Sequence, residues 1–417
     1  MDPATLGAAA YGLETAVEAG VAGYFLTQPT LPLKARLSHA SSVLPLPRSA
    51  HSLSVIGTRA YIFGGRSQDG KPATNDIHEL ELPTPDTENT AAIINTITAI
   101  GETGDVPQAR LHHTAAVARQ RIFVFGGQNP KTEKVIEENG RLWVFDPLDS
   151  KWLFLDPPPK TAFPSARYKH SMTASDTGDA IFIHSGLETP ESKLNDTWAF
   201  YLDHGKWTRL SDSPSSSRSG ASITVAKDKL WKLSGGGLDP RGELSYFQLP
   251  PTQSLDAAGT LNLEKREWNI AIPEASKSDE APTIPSARSG AALHYLTTGN
   301  GRDYILLALG ERESPSAGES PLMQDIWAYQ LPSSGLSGAN LKDAIKKGVP
   351  GASAHEGEWA EVEITRIEVA KNEKSGGSWT GRRWFGSCVT GKKQFMLWGG
   401  RNVGDEDLGD GWIVKIE

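Results

Sequence analysis

The sequence predicts an all-β fold, a propeller of six blades with a short helix at its N-terminus, and three observations lead to this prediction. One motif recurs six times along the 417 residues. Most copies contain four short apolar stretches separated by turns, and their glycines and tryptophans keep the same places. Because four short strands form one blade of a propeller, six such repeats are expected to form six blades.

Each repeat starts with an arginine that precedes a small or apolar strand. A turn, a second apolar strand and a glycine or glycine pair follow, as in PRSAHSLSVIGTRAYIFGG from Pro47. Most copies continue with a polar loop, a third strand such as LNDTWAFYL and a fourth strand that often contains a tryptophan. The tryptophans are expected to fill the space between adjacent blades. The motif arginines are Arg48, Arg110, Arg167, Arg218, Arg288 and Arg383.

Two of the repeats carry extra residues. The intervals that follow Arg218 and Arg288 are 70 and 95 residues long, whereas one repeat of this kind takes about 50. The surplus falls mainly at residues 250–262 and 333–357, which are polar and contain turn-forming residues. We interpret both segments as surface insertions, either tolerated without a function or in contact with a partner.

The last repeat reaches Glu417 directly after its third strand. The stretch LKARLSHA, residues 33–40, precedes the first repeat in the place of a fourth strand. We therefore expect it to complete the last blade and to close the ring, which removes the open sheet edges. This divides the chain into a helix and linker at residues 1–32 and a propeller at residues 33–417.

Residues 3–25 show the spacing of an amphipathic helix. Apolar residues recur at intervals of three or four positions, as one helix face requires. We expect this helix to pack on the propeller or on a neighbouring chain. Attachment to a membrane surface is the alternative, and the lack of Lys and Arg argues against it. The apolar positions are Leu6, Ala10, Leu13, Val17, Val21 and Tyr24.

Composition and charge narrow the classes of function. A net charge of −8 gives no general reason to bind nucleic acid or an anionic membrane. The single cysteine, Cys388, excludes a disulfide within the chain and favours the cytosol. No apolar run is long enough for a membrane span, and the N-terminus lacks the features of a signal or transit peptide. We expect a cytoplasmic protein with no nucleic-acid partner.

With its Gly-Gly pairs, N-D-x-W-like segments and spaced tryptophans in register over residues 33–417, the chain resembles the kelch-repeat β-propellers, which belong with the central domain of galactose oxidase. Two repeats depart from the pattern, with His184-Ser185-Gly186 and Ala308-Leu309-Gly310 in place of the glycine pair. The resemblance implies the fold; it does not imply one activity, because propellers host many unrelated functions.

The resemblance also implies where the arginines lie. In the kelch family the first strand is innermost, so the six motif arginines would surround the central opening on one face. They could lock the blade turns by bonding to nearby acids and carbonyls. Alternatively they are the ligand- and partner-binding residues, which hold carboxylates through bidentate bonds, as arginines at this place do in some kelch proteins.

Three histidines share one position of the repeat, three residues after their arginines: His51, His113 and His170. Three imidazoles could bind a transition metal, but kelch repeats often carry His at this position for packing. They are therefore only weak metal candidates. No G-x-S-x-G, P-loop, H-E-x-x-H or C-x-x-C motif occurs, so we assign no catalytic residue and expect no cofactor.

Two classes of function remain open. The first is an intracellular scaffold that binds a protein or peptide, with acidic side chains of the partner at the arginine-bearing face. The second is a small-molecule enzyme of the same propeller type, similar to sugar mutarotases or to metabolite-modifying kelch proteins, that acts at the same central mouth. A deep pocket with convergent polar side chains would favour the enzyme, and an open, flat ring would favour peptide binding.

Overall fold

A computed structural model describes residues 30–40, 42–67, 73–82, 92–213, 220–233, 242–250, 266–271, 284–299, 301–312, 320–333, 339, 342–344, 354–368 and 378–417. Within these residues, 25 strands form six sheets. The N-terminal helix predicted at residues 3–25 lies outside the described residues, as does nearly all of the insertion at 250–262.

Blades 1 to 3 each contain four antiparallel strands in chain order. Blade 1 consists of β2 (Ser49–Ile56), β3 (Arg59–Arg66), β4 (Ile77–Glu81) and β5 (Ile94–Ile97). Blade 2 consists of β6 (Thr114–Ala118), β7 (Arg121–Phe125), β8 (Leu142–Asp146) and β9 (Lys151–Leu155). Blade 3 consists of β10 (Ser171–Ala174), β11 (Ala180–His184), β12 (Thr197–Tyr201) and β13 (Lys206–Arg209).

Blades 4 and 5 repeat this order, and blade 6 adds strands from elsewhere in the chain. Blade 4 consists of β14 (Ser222–Ala226), β15 (Lys229–Leu233), β16 (Leu244–Gln248) and β17 (Trp268–Ile270). Blade 5 consists of β18 (Ala292–Gly299), β19 (Arg302–Ala308), β20 (Ile326–Gln330) and β21 (Trp359–Glu361). Blade 6 consists of β23 (Gly386–Gly391), β24 (Gln394–Trp398), β25 (Gly411–Ile416), β1 (Lys34–Ala40) and β22 (Glu363–Glu368).

The first strands of the six blades form a closed ring around a central channel. Each of β2, β6, β10, β14, β18 and β23 contacts the first strand of the blade before it and of the blade after it. The later strands of every blade lie successively farther out. The predicted six-bladed β-propeller is therefore confirmed.

Strand β1 joins the end of the chain to its beginning. It pairs antiparallel with β25, from Ala35 opposite Ile416 to Ala40 opposite Gly411, and so becomes the fourth strand of blade 6. The sequence analysis did not foresee a fifth strand, β22, which pairs parallel to the outer edge of β1. In the chain, β22 follows the last strand of blade 5. Its sequence, EITRIE, is mostly exposed and forms the outer edge of the blade 6 sheet.

The predicted burial of the blade tryptophans is confirmed at Trp152 and Trp207, which are 1% and 4% exposed. Trp207 packs against Phe125 of the preceding blade with ring centroids 5.4 Å apart, and its indole donates a hydrogen bond to the Gly140 carbonyl at 2.7 Å. The hydrophobic core therefore lies between adjacent blades, where apolar faces of neighbouring sheets meet.

The insertion at residues 333–357 is tied to blade 5 by a buried ion pair. Asp343 accepts two hydrogen bonds from the guanidinium of Arg302, at 2.6 and 2.7 Å, and its side chain is 1% exposed. This part of the insertion is thus an anchored element of the blade.

In the described part of the chain, no helix has the length and apolar character that crossing a bilayer requires. The cytoplasmic location stays a prediction.

Candidate functional site

Three of the motif arginines are buried inside their blades. Arg110, Arg167 and Arg288 are at most 1% exposed, and each forms a bidentate pair with one carboxylate. Arg167, for example, donates to the two Asp196 oxygens at 2.6 and 2.9 Å. Each of the three also donates to the main-chain carbonyl at the end of the second strand. The three partners are Glu138, Asp196 and Asp325.

The same carboxylates hold the tryptophan of the third strand. The indoles of Trp143, Trp198 and Trp327 donate to them at 2.7–2.8 Å. Burial alone would favour the neutral acid at Asp196, but hydrogen bonds from Arg167 and Trp198 hold its pKa below the ordinary value. The N-D-x-W segment of the repeat is therefore a buried Arg–carboxylate–Trp unit, which positions the third strand against the first.

The last repeat is out of register by one residue in the sequence prediction. Arg382, not Arg383, is buried and donates to the Gly399 carbonyl and to Asp410, each at 3.1 Å. The indole of Trp412 donates to the same Asp410 at 3.2 Å. Two adjacent arginines made the register ambiguous from sequence. Arg383 is left on the surface, one position later.

Blade 1 departs from this pattern at Arg48. Its Nη2 contacts Nε2 of His78 at 2.7 Å, at the position where blades 2, 3, 5 and 6 have a tryptophan. Arg48 forms no pair with a carboxylate in the described part of the chain. Nε and Nη1 of Arg48 are buried and have no hydrogen-bond partner among the described residues. The sixth predicted arginine, Arg218, lies outside the described residues.

The burial of Arg110, Arg167, Arg288 and Arg382 changes the account of the site. A guanidinium that is at most 1% exposed and bonded to its own blade is not accessible to a ligand at the surface. The structure therefore gives these four the locking role, which the sequence analysis weighed against ligand capture.

A different set of residues forms the mouth of the channel. Two positions after each motif arginine, counted from Arg382 in blade 6, the chain adopts a left-handed conformation with φ between 52° and 72°. Main-chain N–H groups at five of these positions donate to the carbonyl of the equivalent residue in the neighbouring blade, at 2.8–3.4 Å. We call these six residues the mouth ring: Ala50, His112, Lys169, Gly220, Gly290 and Trp384.

The mouth ring is asymmetric because only some of its members carry large side chains. Blades 4 and 5 contribute Gly220 and Gly290, whereas blade 6 contributes Trp384. The Trp384 ring meets His112 edge-to-face, with centroids 5.2 Å apart. The Lys169 ammonium lies 5.4 Å from the Trp384 ring centroid although it comes from the opposite blade. Trp384 therefore extends from blade 6 toward the side chains of blades 2 and 3.

Positive charges surround Trp384. The guanidiniums of Arg66, Arg383 and Arg401 lie 5.4, 4.7 and 6.0 Å from its ring centroid. Arg383 pairs with Glu311 and with Asp405, the latter at 2.5 Å, and Arg401 pairs with Asp407 at 3.0 Å. Within the described residues, neither Arg66 nor Lys169 forms an ion pair with a carboxylate.

The electrostatics reflect this surplus of positive charge. Burial lowers the pKa of Lys169, and the charges of Arg383 and Arg66 lower it further against the opposite effect of Glu311. Burial and the charge of Arg401 likewise lower the pKa of Arg66, against the opposite effect of Asp407 and Asp405. Two half-buried cations that form no ion pair with any carboxylate of the described residues make this surface attractive to an anion.

Below the mouth ring lies a channel of about 530 Å³. The first strands line it with hydroxyl and imidazole groups, among them Thr114, Ser171, Ser222 and His294. This volume is within the range of small-molecule sites.

The three histidines considered as metal ligands serve contacts between blades. Nε2 of His113 lies 2.9 Å from the Ser52 hydroxyl, and Nε2 of His170 lies 2.6 Å from the Thr114 hydroxyl, each on the preceding blade. Burial and a neighbouring arginine lower the pKa of His51 and of His170 to about 3. The described residues contain no group of three His, Cys, Asp or Glu side chains placed to hold a metal ion.

These histidines also explain the glycine pairs. A Cβ at Gly64 would lie 2.6 Å from the Arg110 carbonyl oxygen and 2.7 Å from the His113 ring, so only glycine fits against that histidine. Where the next blade has no histidine, another residue stands in place of the first glycine of the pair. Ser185 faces the blade of Ala221, and Leu309 faces the blade of Phe385. The two departures in repeats 3 and 5 follow from the adjacent blade.

Comparisons with known proteins agree with this architecture. Residues 30–236 match the family model described as the KLHDC2/KLHL20/DRC7 Kelch-repeats domain. A solved structure titled "Structure of YjhT" superposes with a TM-score of 0.56 over 93% of this chain and 100% of that one, at 14% identity. That likeness concerns the fold alone.

Two curated relatives are similar over shorter stretches. The N-(sulfonatooxy)prop-2-enimidothioate sulfolyase of Thlaspi arvense is 28% identical over 291 residues, which are 67% of this chain and 74% of that protein. Kelch domain-containing protein 3 of Homo sapiens is 29% identical over 175 residues, 41% of this chain and 42% of its own length. The matched segment is thus less than half of the human protein.

Proposed function

The chain belongs to the kelch-repeat family of β-propellers, and on that basis we propose that it binds a protein or peptide partner at the mouth of its central channel. Acidic side chains of the partner would meet the cations around Trp384. The site consists of Arg66, Lys169, Arg383 and Trp384.

The observation that carries this proposal is a pair of cations, Arg66 and Lys169, that form no ion pair with a carboxylate of the described residues. Arg66 of blade 1 and Lys169 of blade 3 both lie 5.4 Å from the Trp384 ring centroid. A partner carboxylate placed between them would gain charge-assisted hydrogen bonds and would relieve the repulsion between the two cations. The indole offers an apolar surface for the rest of the bound side chain.

The proposal keeps part of the original set of arginines. Arg383 belongs to the site, and its guanidinium is about one-quarter exposed. Arg218 and Arg48 stay predicted ligand contacts, the first outside the described residues and the second with two N–H groups that lack a partner.

The first test measures binding of a fluorescently labelled tetraglutamate peptide by polarisation. We expect the wild-type protein to bind it and the affinity to fall as salt is added, because salt screens exposed charges. Replacing both unpaired cations, in an Arg66→Gln/Lys169→Gln variant, is expected to weaken binding by about tenfold or more.

The control removes two positive charges from the opposite face. Lys392 and Lys393 are exposed in the turn between β23 and β24, at the other end of the channel. A Lys392→Gln/Lys393→Gln variant should bind the peptide as the wild type does. Equal affinities for the wild type and the Arg66→Gln/Lys169→Gln variant would overturn the proposal.

A second candidate is an enzyme that acts on a small anionic molecule at the same mouth. Its support is the similarity to the sulfolyase over 67% of this chain, together with the channel of about 530 Å³. The name of that relative's substrate includes a sulfonatooxy group, an anion that the unpaired cations could also hold. Incubation with an O-sulfonated thiohydroximate, followed by measurement of free sulfate, tests it. Release that disappears in the Arg66→Gln/Lys169→Gln variant would support the enzyme, and no release would exclude this substrate class.

A further inference from the structure

The loop between β24 and β25 brings a carboxylate of the chain itself to the proposed site. In this loop, Asp405 adopts a left-handed conformation with φ of 61°. Its main-chain N–H donates to the Asn402 carbonyl at 3.1 Å, and the next N–H, that of Glu406, donates to the Asn402 side chain at 3.0 Å. These two bonds form a tight turn that presents the side chain of Asp405.

The side chain of Asp405 remains 62% exposed although it is engaged at the mouth. It accepts a hydrogen bond from Nη2 of Arg383 at 2.5 Å and lies 3.8 Å from Nη1 of Arg401. Glu311 occupies the other terminal nitrogen, Nη1, of Arg383. Glu311 and Asp405 therefore accept hydrogen bonds from both terminal nitrogens of Arg383, whose guanidinium lies 4.7 Å from the Trp384 ring centroid.

We propose that Asp405 is a built-in competitor, which takes the position of a partner's acidic side chain on Arg383 and which the partner must displace. This inference rests on the proposed function of the mouth. An exposed ion pair contributes little free energy, so Asp405 can leave Arg383 at small cost. Its tether to the loop keeps it close to the guanidinium, which gives it a high effective concentration.

The competitor also defines the class of partner. A ligand with one carboxylate would only exchange places with Asp405 at Arg383, with little net gain. A ligand with several neighbouring carboxylates could replace Asp405 and at the same time reach Arg66 and Lys169, which have no carboxylate partner among the described residues. The geometry thus favours a segment in which acidic side chains are clustered.

The test compares tetraglutamate binding by the wild type, by Asp405→Asn and by a matched control. The control is Asp203→Asn, whose side chain is 64% exposed and pairs with Arg119 at 2.7 Å on the opposite face. Both changes remove one negative charge from an exposed ion pair. We expect Asp405→Asn to bind about two- to fivefold more tightly than the wild type, and Asp203→Asn to be unchanged.

The outcomes separate this inference from the proposed function. If the wild type binds through Arg66 and Lys169 but Asp405→Asn binds no more tightly, the competitor is refuted and the proposed function stands. Equal strengthening in both Asn variants would show a general effect of charge and would also refute the competitor. If neither the wild type nor Asp405→Asn binds the peptide, both proposals fail. Equal melting temperatures of the variants would exclude a change in the fold as the cause.

Discussion

A chain that lacks residues 1–40 is expected to melt at a much lower temperature than the full chain and to associate in solution. Strand β1 lies between β25 and β22, and its Ala35 and Leu37 side chains are fully buried. Together with Leu31 and Leu33 they belong to the core cluster of Trp412 and Val414. Burial of one leucine contributes about 1.5–3 kcal/mol, so the loss amounts to several kcal/mol.

The truncation also exposes sheet edges. Both β25 and β22 lose their partner, and unpaired edges of this kind promote association. The matched control is a chain that begins at residue 30 and keeps β1. Calorimetry and size-exclusion chromatography compare the two. If both truncated chains melt at the same temperature as the full chain and stay monomeric, β1 does not stabilise the propeller, and the prediction is wrong.

Replacing Asp196 by alanine is expected to lower the free energy of unfolding by about 3–5 kcal/mol. The change leaves the guanidinium of Arg167, which is fully buried, without its counter-ion. It also removes the acceptor of the Trp198 indole. Chemical denaturation of the variant and the wild type measures the difference.

A bidentate pair on the surface provides the control. Arg141 donates to both oxygens of Asp156, at 2.5 and 2.7 Å, but the Asp156 side chain is 48% exposed. We expect Asp156→Ala to cost less than about 1 kcal/mol. A similar loss of unfolding free energy in both variants would mean that burial does not determine how much the Arg167–Asp196 pair stabilises the fold.

The same units make stability depend on pH. Although burial opposes ionisation, paired groups hold the pKa values of Asp196, Asp325 and Asp410 below the ordinary value. Carboxylates with a depressed pKa in the folded state stabilise it above their unfolded pKa of about 3.9. This contribution is lost as the pH falls below that value toward the folded pKa, so we expect the melting temperature to drop in that range.

The fold could be predicted from sequence because local features repeat. Trp152 and Trp207 occupy equivalent positions, and both are buried. A ring of repeats imposes the same packing on every blade, so one pattern appears six times. Strand β22 could not be predicted in this way, since it lies outside the repeat and four of its six residues are exposed.

The candidate site was harder to predict because its residues differ from blade to blade. The recurring arginines attracted attention, yet at Arg110, Arg167 and Arg288 recurrence marks a structural unit. The mouth ring holds alanine, histidine, lysine, glycine and tryptophan at one position. The available signal was this position, two residues after each motif arginine. In blade 6 this position is Trp384 only if Arg382, and not Arg383, is taken as the motif arginine.

The most direct test of the account is a comparison of the partners captured from an extract of the source cells. Three immobilised proteins are compared: the wild type, the Arg66→Gln/Lys169→Gln variant and the Lys392→Gln/Lys393→Gln variant. We predict that proteins retained by the wild type, and released by moderate salt, are lost from the first variant and kept by the second. Retention of the same partners by the first variant would contradict the claim that the cations around Trp384 form the binding site.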